Sequence, residues 1–192
     1  MPKKLEPGQI APSFSSTDVM GKKVDLTSNK SKYVLVVFLR YAGCPWCNLA
    51  IHRLALEQKL LRDNNCTIIA FVQSSKENII KNIYDRHEQK PLFQIVADHE
   101  MENYKKYLVH PSAAAPAKLV KSIPYWVHAV RKGGFKNGDI DGNLFMVPAS
   151  FLIAPYSRKI LRADYTANLY EHSTFSKIYD TIARHKLEGD VN

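Results

Sequence analysis

The chain has 192 residues, a net charge of +9, 45% hydrophobic and 23% charged residues, which suits one soluble domain with a sizeable core. No window approaches the ~20 apolar residues a membrane helix needs. The basic start, "MPKKLEPGQI", leads into no apolar stretch of a signal peptide, so the expectation is a cytoplasmic protein, a single domain over 1–192 with no membrane partner. Basic residues come singly or in pairs (Lys3-Lys4, Lys22-Lys23, Lys105-Lys106, Arg131-Lys132), the pattern of a solvated surface and not of a nucleic-acid face. Three cysteines are too few for a disulfide framework, and an odd count fits a reducing compartment.

In chain order, "APSFSSTDVMGKKVDLTS" reads as a hairpin with Phe14 in one arm, Gly21 at the turn, and Val24 and Leu26 in the other. The unbroken apolar run Tyr33 to Leu39 predicts a strand buried on both faces. A helix follows from Pro45 to Arg62, with Ile51, Leu54, Ala55 and Leu61 on its apolar face. Cys66 to Gln73 is a second buried strand, in which Cys66 serves as a small hydrophobe. Lys76 to Gln89 reads as a helix, Leu92 to Asp98 as a strand and Glu100 to Val109 as another helix. This alternation predicts right-handed crossovers and a mostly parallel region of sheet. The segment His110 to Asn143 reads as an insertion, a helix broken at Pro124 followed by a glycine-rich turn region. Ala149 to Ile153 and Lys159 to Ala163 form a closing antiparallel hairpin, and Thr174 to Leu187 a final amphipathic helix.

Chemistry concentrates in "GCPWC". It lies where a buried strand gives way to a helix, at the ligand-facing edge of an α/β sheet. Proline favours the first helical position, which puts Cys44 at the N-cap and Cys47 in the first turn. Free N–H groups and the positive helix end stabilise negative charge there, so a thiolate forms more readily than at the ordinary pKa of ~8.5. Arg40 adds a cation, and Trp46 offers an apolar wall that would leave one thiol accessible. Three readings stand: a redox pair, a metal clip using Cys44, Cys47 and His52, or two structural cysteines. Cys-x-x-Cys beside a βαβ pattern points to the first. The metal clip has only three ligands and poor phasing of His52. The remaining histidines, His87 among them, carry no assigned role.

The chain resembles a thioredoxin-fold protein of the peroxiredoxin-like branch, the alkyl hydroperoxide reductase / thiol-specific antioxidant (redoxin) superfamily. The likeness rests on "GQIAPSFSSTDVMGKKVDLTS", "YVLVVFLRYAGCPWC", "LFQIVADHEMENYKKY" and "VPASFLIAPYSRKI". It implies a central mixed sheet flanked by helices, with the N-terminal hairpin before it and the insertion ahead of the closing hairpin. Phe38 precedes Cys44 by six positions, as in the family pattern P-x-x-x-T-x-x-C. On that register Arg40 takes the proline position, Cys44 the threonine position and Cys47 the peroxidatic position. The family arginine lies three positions before a late phenylalanine; counting back from Phe151 gives Pro148. Thioredoxins carry a cis-proline there, so the resemblance implies a cis Val147-Pro148 bond packed against the cysteines and touching substrate.

Without the proline–threonine pair and the arginine, rapid peroxide activation is not implied, whereas two-electron chemistry at Cys44 and Cys47 is. The expected function is peroxide reduction through a Cys44/Cys47 dithiol–disulfide cycle. Alternatives are thiol–disulfide exchange with protein disulfides, or a non-catalytic redox sensor. The expected partners are a peroxide or disulfide and an external thiol reductant such as a thioredoxin or glutathione system. No organic cofactor and no metal is expected.

Overall fold

Six successive apolar residues, Tyr33–Phe38, form strand β3, every one of them buried. Their alternation sends Leu35 and Val37 into one core and Val34, Val36 and Phe38 into another, as a strand covered on both faces requires. The computed structural model describes residues 3–29, 32–112, 114, 123–124, 127, 129–131, 134–166 and 174–189.

Before β3 stands the expected hairpin, β1 (Ser15–Thr17) and β2 (Lys23–Asp25), paired antiparallel. Gly21 sits at φ +85° in its turn. After β3 come α1 (Pro45–Asp63), β4 (Cys66–Val72), α2 (Lys76–Ile79), β5 (Gln94–Ala97) and α3 (Glu102–Lys106). Then follow β6 (Ala149–Ile153), β7 (Ile160–Tyr165) and α4 (Phe175–Gly189). The main sheet has the order β5-β4-β3-β6-β7. Parallel pairing joins β5, β4 and β3, while β6 and β7 run antiparallel. This is the mixed sheet of a thioredoxin-like fold, with the two-stranded hairpin beside it.

Two helices are shorter than expected. The helix predicted over Lys76 to Gln89 keeps α-geometry only to Ile79 and continues as a π-helical turn over Ile80–Tyr84, a wide turn that 3.6-residue periodicity cannot register. The one predicted from Glu100 to Val109 is trimmed to α3, with Met101 and Leu108 at positive φ of 58° and 54° on either side. The helix expected around Pro124 falls mostly outside the described residues. The ends of that insertion do meet: Pro111 bridges Met146, and the N–H of Ser112 donates to Phe145 O at 2.9 Å.

Candidate active site

Strand β3 runs straight into the site. Past Phe38, Leu39 N–H donates to Phe71 O at 3.0 Å and Gln73 N–H to Arg40 O at 2.9 Å, so strand-like pairing with the exit of β4 continues. The buried Tyr104 hydroxyl is shared between the carbonyls of Leu39 and Phe71. A turn then closes with Cys44 N–H donating to Tyr41 O at 3.1 Å. Cys44 is the extended N-cap of α1, with Pro45 behind it.

Arg40 is 3% exposed and lies along this turn. Its Nη1 sits 3.6 Å from Cys44 Sγ and its Nη2 donates to Leu144 O at 2.5 Å. The guanidinium lies 5.3 Å from the Tyr41 ring centroid and 5.5 Å from that of Trp46, within cation–π range. Among the described residues no carboxylate pairs with it. The sulfur of Cys44 is therefore its anionic partner.

The two thiols are not equivalent. Burial alone would raise Cys44, but the Cys47 thiol hydrogen bond, the Arg40 charge and the N–H groups of Cys47 and Trp46 outweigh it and lower its pKa. Those N–H groups close no cap hydrogen bond; they act on the sulfur as oriented dipoles. Burial and the bond to Cys44 hold Cys47 well above the ordinary thiol value. The reduced pair is thus a Cys44 thiolate receiving a hydrogen bond from a Cys47 thiol. Cys66, in β4, is pushed up to about 12 by burial and stays an inert thiol.

Both active-site cysteines are only 1% exposed, where a thiol left open beside Trp46 was expected. The segment Gly134–Met146, which carries the end of the insertion, crosses the turn ahead of Cys44 as a strap. Its Gly138 N–H donates to Gly43 O at 2.8 Å. The crossing has no room for side chains: a Cβ on Gly43 would lie 2.4 Å from Asp139 O, and one on Gly138 2.9 Å from Gly43 Cα. Asp141 pins the strap, accepting from Ser74 Oγ at 2.6 Å, Ser75 N–H at 3.0 Å and Asn78 Nδ2 at 2.7 Å. Asn143 N–H donates to Gln73 Oε1 at 2.9 Å.

A second polar chain braces the turn from below. Asn48, 1% exposed, donates from Nδ2 to Ala42 O at 2.6 Å and Cys44 O at 3.0 Å. Its Oδ1 lies 2.8 Å from His87 Nε2, which places the imidazole proton on Nε2. His87 stacks on Phe135 of the strap with centroids 4.7 Å apart. Burial, followed by His52 and the charges of Lys90 and Arg86, lowers its pKa to about 4, so it stays neutral at physiological pH. The ring of His52 faces Phe135 and His87.

The proline expectation needs correction. The Val147–Pro148 bond is trans, since no cis peptide occurs among the described residues. Pro148 leads into β6, and its carbonyl accepts from Thr166 N–H at 3.1 Å and Thr166 Oγ1 at 2.8 Å. Pro148 lines an apolar cleft of about 380 Å³ with Ala50, Leu54 and Phe175, and neither Cys44 nor Cys47 is among its walls. Val147 packs on the core cluster that holds both cysteines and Trp46. Arg40, Cys44, Trp46 and Cys47 are thus brought together, and Pro148 directly precedes Ala149, the sheet partner of Phe38.

Sequence reasoning missed Asn48, His87 and Asp141. Asn48 had a local signal, since it stands one helical turn after Cys44. Asp141 lies in the glycine-flanked "NGDIDGN", a hint of close chain crossing. His87 had none.

Residues 7–157 match the AhpC/TSA family. The chain is 31% identical over 111 residues to the thiol-disulfide oxidoreductase ResA of Bacillus thuringiensis subsp. konkukian, and equally to that of Bacillus cereus. That match covers 56% of this chain and spans 61% of the relatives' length. Among solved structures, a yeast mitochondrial 1-Cys peroxiredoxin superposes with a TM-score of 0.71 at 16% identity, over 97% of this chain and 78% of that one. A putative thiol:disulfide interchange protein DsbE from Chlorobium tepidum gives 0.62 at 15% identity, over 93% and 99%. At those identities the structures share the fold.

Proposed function

The chain belongs to the AhpC/TSA family, and from that premise we propose that it reduces peroxides, with Cys44 as attacking thiolate and Cys47 as resolving thiol. The supporting observation is the Cys44 sulfur 3.6 Å from Arg40 Nη1, in a residue only 1% exposed. A space so closed suits a small oxidant better than a bulky disulfide. The roles are the reverse of those the family register implies.

In the cycle, Cys44 thiolate attacks the terminal peroxide oxygen, the O–O bond breaks, and the departing alkoxide takes up a proton. Cys44 is left as a sulfenic acid. Cys47 gives up its proton and attacks that sulfur, and hydroxide leaves as water. An external thiol reductant then returns two electrons and two protons to the disulfide. The odd cysteine count supports a reducing, cytoplasmic setting.

Thiol–disulfide exchange is the second reading, favoured by the ResA relatives and by the lowered pKa of the first cysteine of the motif. Stopped-flow oxidation of the Cys44→Ser and Cys47→Ser variants separates the readings. Peroxide should oxidise Cys47→Ser to a trappable Cys44 sulfenic acid and leave Cys44→Ser unreacted at the pair. Preferential oxidation at Cys47 would refute the assignment of roles. A Cys47→Ser protein that captures mixed disulfides readily while ignoring peroxide would establish exchange instead.

A further inference from the structure

We propose that the cleft lined by His87 and Phe135 binds inorganic phosphate, and that it selects this ion by its O–H group. The cleft measures about 600 Å³, and its walls include His52, Arg86, His87, Glu88, Phe135 and Lys136. Neither Cys44 nor Cys47 is among them, and the inference stands apart from the thiol chemistry.

The selecting atom belongs to a buried ring. His87 is 2% exposed, and its two nitrogens stand in opposite circumstances. Asn48 Nδ2 is committed to the carbonyls of Ala42 and Cys44, so Asn48 Oδ1 is the atom that meets His87 Nε2 at 2.8 Å. That nitrogen carries the proton, which leaves Nδ1 as a bare lone pair. Nδ1 is buried and has no hydrogen-bond partner, a costly state for a polar atom. Stacking on Phe135, with centroids 4.7 Å apart, holds the ring in place. Only a hydrogen-bond donor can satisfy Nδ1.

The surroundings fix the charge of that donor. Arg86 and Lys136 bring two positive charges to the walls against the single carboxylate of Glu88, and the ring centre of His52 lies 6.2 Å from that of His87. Arg86 Nη1 donates to Lys136 O at 3.0 Å, which draws these two residues together. Among the described residues neither is held in an ion pair. A cationic donor is repelled from such a place and an anion is attracted. The ligand is therefore an anion that still carries an O–H. Both forms of inorganic phosphate present at neutral pH do so. Sulfate does not, and a phosphate monoester loses its last O–H above pH ~6. Phosphate bound there donates to His87 Nδ1 and accepts charge-assisted hydrogen bonds from Arg86 and Lys136.

Titration of the reduced, nitrogen-15-labelled protein at pH 7.5 and constant ionic strength tests this, with the His87 ring nitrogens followed by NMR. Inorganic phosphate should shift the Nδ1 signal saturably and bind about tenfold or more tighter than sulfate or phenyl phosphate. Arg86→Gln should weaken phosphate about tenfold, and His87→Phe should bind phosphate and sulfate alike. Absence of a saturable Nδ1 shift with phosphate overturns the proposal. Equal binding of sulfate or phenyl phosphate by the wild type overturns it too, since charge alone would then be read. Both refuting results come from the wild-type protein and need no variant to fold.

Discussion

Replacing Arg40 with methionine keeps the bulk of the side-chain stem and deletes the charge facing Cys44. At the observed 3.6 Å, a unit charge pair in an effective dielectric of ~20 interacts by about 4–5 kcal/mol. Spreading the charge over the guanidinium and admitting water to the variant roughly halves this, leaving ~2–3 kcal/mol, or about two pKa units. Cys44 should move from about 6 to about 8. Its thiolate fraction at neutral pH then falls from about nine-tenths to about one-tenth, and peroxide reactivity falls about tenfold. In the wild type the rate should rise with pH through about 6 and then level off. The pKa is read from thiolate absorbance in the ultraviolet, in a Cys47→Ser background so that one sulfur titrates in the site. A shift below about half a unit would refute the electrostatic account of Cys44.

The crossing of strap and turn makes Gly43→Ala costly: its Cβ would meet Asp139 O at 2.4 Å, so stability should drop by about 2 kcal/mol in denaturant titration, with faster labelling of both site thiols. Tyr104→Phe removes the hydroxyl shared by the Leu39 and Phe71 carbonyls and should cost about 1–2 kcal/mol in the same assay. His87 has a folded pKa of about 4, below its unfolded value of ~6.5. Between those values the unfolded chain binds more protons, so this contribution is complete above ~6.5 and is lost as pH falls toward 4, by about 3 kcal/mol. Thermal melts across that window should show the slope, and His87→Gln should flatten it.

The strands were legible because each is a short apolar run closed by turn residues, and β3 and β4 appear within a residue or two of the expected bounds. The cysteine pair was legible for the same local reason: Pro45 fixes the helix start, and the helix start fixes where the sulfurs stand. Burial of that pair was not legible. The strap beside it lies two strands and two helices further along the chain, and the crossing depends on two glycines, Gly43 and Gly138, that matter only once they face each other. The π-turn of α2 escaped for a related reason. Asn82, inside that turn, is fully buried, and a Cβ on Gly138 would lie 2.1 Å from its Oδ1, so the helix is shaped by a partner its own sequence does not announce. The cis bond expected at Pro148 is trans instead, and the Pro148 carbonyl, paired with Thr166, leads the chain into β6.

The contact between Arg40 and Cys44 also sets how strongly the couple holds electrons. A dithiol already comfortable as an anion has little to gain by becoming a disulfide, and its reduction potential rises accordingly. The bridge in this protein should lie toward the oxidising end of the range for protein disulfides, so that a mild monothiol is sufficient to regenerate it once the sulfurs come within reach.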